Sequence, residues 1–146
     1  MIDQLDQKLQ PFCDTRLILV PERGWIHTIR TTFNMTMAQL GTKLDITRQA
    51  VKQMEESESN GTISINKLKQ VAKVMDLKLV YSLIPNEGTI DELIQKKAEK
   101  LAHRIVLRTN QNMKLEDQGI GDEKLDKTIK ELAYEIKREL KKSLWD

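Results

Sequence analysis

Cysteine occurs once in the 146 residues, at Cys13, which rules out a disulfide framework within the chain and a cysteine-built zinc site. A reducing, cytoplasmic setting is the expectation that follows. Histidine is nearly as scarce. His27 and His103 stand far apart with no further ligand near either, so no metal and no cofactor are expected. No apolar run approaches the roughly 18 residues of a membrane span. The opening MIDQLDQKLQ is polar where a secretion signal would be apolar, so no membrane association is expected either. Charge of one sign is also lacking: 24 basic against 22 acidic residues leave a net charge of +2. Any attraction to nucleic acid must therefore come from local placement of charge. Residues 89–146 hold 13 basic and 12 acidic residues, which reads as solvated helix faces and not as a polybasic arm. Phosphate loops, catalytic triads and paired-carboxylate motifs are missing as well, so the chain is expected not to be an enzyme.

What is present is a pattern of short helices. TMAQLGTKLDITRQAVKQMEE (36–56) reads as two helices joined by a tight turn. Thr36 and Gln39 have the spacing of a capping box, Leu40 and Leu44 share a face, and Gly41 leaves room for a partner helix. Asp45-Ile46 breaks the first helix and Thr47 caps the second. In that second helix Val51 and Met54 point inward, while Arg48, Gln49, Lys52 and Gln53 share the opposite face. Multi-donor side chains on the exposed face of a short helix suit base edges and phosphates in the DNA major groove. The unit is a helix-turn-helix.

Around it the chain divides into four stretches. Residues 1–22 form a helical arm, with a helix ending near Pro11 and an extended connector over 17–24. Residues 23–76 hold the helix-turn-helix domain, in which Trp25 plugs the core, SESNGT (57–62) is a loop and Ser64 caps a further helix. Residues 77–88 are a strand and linker: Leu77, Leu79, Tyr81 and Leu83 alternate with Lys78, Val80, Ser82 and Ile84. A lone strand cannot satisfy its own backbone, so the expectation is an antiparallel pairing with a second copy in a homodimer. The alternative is an extended tail on its own domain. Residues 89–146 form a helical extension, one helix opened by the Thr89–Glu92 capping box and one carrying Leu125 to Leu140, separated by a polar break over 109–123. Trp145 docks on the protein itself or on a dimer mate. The fold class is mainly α: a five-helix, lambda-repressor-like domain, one intermolecular strand and a helical extension.

The middle of the chain resembles the Cro and phage-repressor class, the xenobiotic-response-element family. RGWIHTIRTTFNMTMAQL, RQAVKQMEESESNGTIS, LKLVYSLIP, KLEDQ and the closing LWD are together similar to the bacterial family called mobile mystery protein A. Members of that family typically sit beside a protein with a Fic domain, in an arrangement like a toxin–antitoxin pair. The helix-turn-helix member of such a pair usually represses its own operon and can restrain the toxin. What the resemblance implies is a repressor of a palindromic double-stranded DNA operator, with a Fic-domain protein as a further partner. The competing reading is a protein-binding module that holds that partner with little specific DNA binding.

Carried onto this chain, the repressor-class pattern puts Thr47, Arg48, Gln49 and Gln53 at the DNA-reading positions, with Thr47 on a phosphate. Thr36, Lys43, Lys52 and Lys67 complete the expected DNA-facing set. Arg30 and Glu55 match a pair that clamps the first helix of the class to the end of the recognition helix. Three departures stand out. Met37 replaces the usual glutamine, Asp45 the usual glycine, and the acidic EESES (55–59) lies where relatives place phosphate contacts. A near match to a Fic-inhibiting motif, Ser82 with Glu87-Gly88, has the wrong spacing and an intervening Pro85.

Overall fold

The computed structural model describes residues 1–115 and 121–146, and every side chain among them except those of 112–115. Among the described residues are seven α-helices and a closing 3-10 turn, Lys142–Trp145. The helices are α1 (Ile2–Cys13), α2 (Trp25–Thr32), α3 (Met37–Leu44), α4 (Arg48–Asn60), α5 (Ile65–Val74), α6 (Ile90–Leu115) and α7 (Asp122–Glu139). The chain forms two compact units. One is residues 17–82, with α2 to α5; the other combines residues 1–16 with 83–146.

In the first unit the inward positions of the four helices, Ile26, Leu40, Val51, Val71 and Met75, make one core. Side-chain caps start three of them. Thr36 and Gln39 bond each other's backbone N–H, Thr47 accepts from Ala50 N at 3.1 Å, and Ser64 accepts from Lys67 N at 3.2 Å. Between α3 and α4, Asp45 takes the left-handed conformation (φ 56°, ψ 42°), and Ile46 N–H donates to the Gly41 carbonyl at 2.9 Å. A Cβ on Gly41 would lie 2.7 Å from the Ile46 carbonyl oxygen, so only glycine lets this turn fold back so closely.

Three expectations are corrected here. The unit has four helices, not five, because Asp76 turns left-handed (φ 57°), Leu77 N–H returns to the Ala72 carbonyl, and the chain leaves extended. EESES is no loop. α4 runs through it to Asn60 and stops at Gly61 (φ 77°). Trp25 is 44% exposed and does not plug the core. The expected strand at 77–84 does not form within the single chain. No backbone hydrogen bond is donated by residues 78–84 among the described residues, since a strand needs a neighbour and the chain offers none. Tyr81 and Leu83 are left 62% and 92% exposed beside Leu77, while Leu79 is half-buried.

In the second unit α6 and α7 pack on a seam of small residues. Ala98, Ala102 and Ala133 are essentially sealed, flanked by Ile94, Leu101, Ile136 and Leu144. Alanine lets the two helix backbones approach. That sets the buried face of α6 on 94, 98, 101, 102 and 106, so Leu93 and Ile105 fall at its edge, not inside. α6 also continues to Leu115, through residues read as the start of a polar break. The rest of that break and the KLEDQ side chains lie outside the described residues. α1 passes Pro11 and ends at Cys13; with Pro11 in the last turn, its missing N–H removes only one bond near a frayed end.

The two parts of this unit are joined by polar contacts. The Asp6 carboxylate accepts from the N–H groups of Ile90 (2.7 Å) and Asp91 (3.1 Å), capping α6 from 84 residues away in sequence. Arg16 donates to the carbonyls of Pro85 and Gly88. Lys137 Nζ lies 2.9 Å from Asp91 Oδ2, and Lys97 Nζ sits 5.3 Å from the centre of the Trp145 ring, so Trp145 docks on its own unit. Asp6→Ala should lower stability by about 1 kcal/mol, the usual cost of a lost N-cap, as read by urea unfolding. Asp3→Ala, at an exposed position of the same helix, should change it by no more than about 0.5 kcal/mol.

Candidate nucleic-acid interface

The helix-turn-helix depends on how the inner side of α4 is held. Arg30, 6% exposed on α2, donates from Nε to Glu55 Oε1, from Nη2 to Glu55 Oε2 (3.2 Å), and from Nη1 to the Met35 carbonyl (2.8 Å). His27 Nδ1 donates to Glu55 Oε2 at 3.1 Å, which leaves its Nε2 facing Arg23 Nη1 at 3.4 Å. Burial alone would raise the Glu55 carboxyl above its ordinary value. The hydrogen bonds from Arg30 and His27, with the charge of Arg30, outweigh it and hold the group low.

One turn further along, Glu58 caps α2. Its two oxygens accept from Trp25 N (3.1 Å) and Ile26 N (2.8 Å). The helix has no Ser, Thr, Asp or Asn of its own at the cap, only Gly24 (φ 85°), and a Cβ there would come within 2.6 Å of the Glu58 carboxylate. Of the acidic residues read as repelling DNA, two are thus consumed inside the unit. Only Glu56 keeps an exposed carboxylate on the outer face of α4, about 12 Å along the axis from Arg48.

That outer face carries Arg48, Gln49, Lys52 and Gln53, all exposed, within an arc of about 140°. Among the described residues none of these side chains makes a hydrogen bond or ion pair, so their donors are available to a ligand. Thr47 stands at the N-terminus of the same helix with its hydroxyl bonded to Ala50 N. Thr36 holds the equivalent place on α3, and its hydroxyl likewise accepts from the backbone. Lys43 is exposed in the last turn of α3 and Lys67 in the first turn of α5, each without a side-chain partner among the described residues. Met37 is half-buried, packs on the domain core, and shares a cleft of about 360 Å³ with Arg23, His27 and Lys52. Its thioether fills space where an amide would have bonded a phosphate.

Glu58, His27 and Arg23 escaped the sequence reading. The legible signal for Glu58 was the uncapped start of α2, whose orphan N–H groups need an acceptor from elsewhere. His27 lies three residues before Arg30, on the same helical face.

Residues 26–82 match the helix-turn-helix family model. This segment is a helix-turn-helix domain of the Cro and phage-repressor type, and the remainder of the chain lies outside the match. No curated protein and no solved structure matches the chain.

Glu55→Gln leaves the buried Arg30 without a counter-charge and should cost about 3 kcal/mol or more at neutral pH. Because the folded-state pKa of Glu55 is depressed, its stabilisation is complete above the ordinary glutamate range and is lost as pH falls through the folded-state value. The gap in thermal midpoint between wild type and Glu55→Gln should therefore narrow on acidification.

Proposed function

We propose that this protein is a sequence-specific DNA-binding transcriptional repressor that acts as a homodimer on a palindromic operator before its own gene. The observation that carries the reading is the outer face of α4: four exposed side chains without intrachain partners, on a helix whose inner face is held by buried charge. Arg48 has the fork to bond guanine O6 and N7, and Gln49 or Gln53 the paired donor and acceptor for adenine N6 and N7, each worth roughly 1–3 kcal/mol of discrimination. Thr36 and Thr47 present helix N-termini to phosphates, while Lys43, Lys52 and Lys67 supply charge around them. Two copies would meet half-sites about one helical turn apart.

The resemblance to mobile mystery protein A extends the reading to an operon shared with a Fic-domain protein and an antitoxin-like role. Residues 1–16 with 83–146, which have their own core and lie outside the helix-turn-helix match, are the natural segment to hold such a partner. That core also sustains the second reading, a protein-binding module with little specific DNA binding. A cut at Gly88 would not separate the two roles, because it removes the α6 that Asp6 and Arg16 hold. Point variants do. Co-purification of the Fic-domain neighbour with an Arg48→Ala protein would assign partner binding to the other unit.

Gel shifts on the DNA upstream of the gene, at several salt concentrations, test the main reading. Affinity no better there than on random DNA rejects it. Arg48→Ala should cost about 1–3 kcal/mol at one base step and relax preference there. Lys67→Ala should weaken binding evenly across sequences and reduce the salt slope by about one.

A further inference from the structure

Residues 17–82 hold an apolar groove of about 480 Å³ between α2, α5 and the extended segment after α5, with Trp25, Ile29, Ile63 and Leu68 in its walls. Two stretches that border it are apolar and open. Leu17, Ile18, Leu19 and Val20 are 61–93% exposed, and Val80 and Tyr81 are 61% and 62% exposed. Neither 17–20 nor 78–82 donates a backbone hydrogen bond among the described residues. An unpaired edge and an exposed apolar face in one place are the features that strand addition uses.

The extended segment is also complementary to itself. Leu77 and Leu79 line the groove, and Tyr81, on the same face by the two-residue alternation, projects beyond it. If two copies run antiparallel with Val80 opposite Val80, Tyr81 of one copy falls opposite Leu79 of the other, over the second copy's groove. Leu83 then falls opposite Leu77. Every exposed member of that face gains a partner in this register, and a shift by one residue would turn the two apolar sets away from each other. The six exposed side chains alone would remove on the order of 600 Å² of apolar surface per copy, close to the ~800 Å² per partner of a standard interface.

We infer that this groove and the edge of residues 77–82 are the seat of a second copy of this chain, joined as a two-stranded antiparallel ribbon centred on Val80. The inference rests on the proposed dimeric repressor and gives it its contact: the ribbon sets the spacing of the two α4 helices.

The test uses the full-length protein in a Cys13→Ser background. Wild type should sediment as a dimer at tens of micromolar, and Tyr81→Asp should weaken dimerisation roughly a hundredfold or more with an unchanged helical circular dichroism spectrum. Val80→Cys should form an interchain disulfide readily, because facing Cα atoms in an antiparallel pair lie about 4.5–5.5 Å apart, within disulfide reach. Faster cross-linking at Tyr81→Cys than at Val80→Cys overturns the register. A dimer indifferent to Tyr81→Asp overturns the interface, and so does a monomeric wild type, even one that still prefers its operator. A dimer cross-linked through Val80 with no operator preference supports the interface and rejects the repressor reading alone.

Discussion

The buried pair of Arg30 and Glu55 is the contact on which the reading face depends. Removing two charges from water is expensive, and the cost is met only when every donor and acceptor finds a partner. Here Arg30 spends its fork on both Glu55 oxygens and on the Met35 carbonyl, and His27 adds to the second oxygen. One guanidinium thereby ties α2, the turn that leads into α3, and α4. An oily contact of similar size would permit small slides between helices; a bidentate fork does not. Glu58 reinforces this by holding the start of α2 from the next turn of α4. The charge on the inner side of α4 fixes its pose, and the outer side is left free of intrachain bonds.

This division of labour also changes how the chain's near-neutral charge should be understood. Acidic residues in 55–59 look unfavourable for a DNA-binding protein when counted. Placed in space, Glu55 and Glu58 face away from the outer surface and are matched by a guanidinium, an imidazole and backbone N–H groups. The carboxylates are structural, and the exposed lysines set the local field. Met37 follows the same logic, trading a polar contact for packing under the N-terminus of α3.

The helix caps were legible in the sequence because they are local: Thr36 with Gln39, Thr47, Ser64, and Thr89 with Glu92 all bond as their spacing implies. Helix ends that depend on distant partners were not. EESES carries turn-forming serines, but its carboxylates are recruited by α2, and that tertiary gain overrides local preference. The α6 face was misplaced at Leu93 and Ile105 because large residues dominate a hydrophobic stripe, whereas the seam is set by Ala98 and Ala102. Asp6 gave no sign of its task, since its partners are 84 and 85 residues away. The strand pattern at 77–84 is plain in the sequence, and what it lacks in a single chain is a neighbour.

Because residues 17–82 lie between α1 and α6 in chain order, synthesis imposes a sequence of events. The ribosome releases α1 first, yet the helix it caps emerges only after the whole DNA-reading unit. At about 5–20 residues per second the delay is on the order of several seconds. Helical units with local contacts fold in microseconds to milliseconds. The reading unit is therefore complete while α1 is still waiting for α6, and the helical unit closes last, around a module already formed.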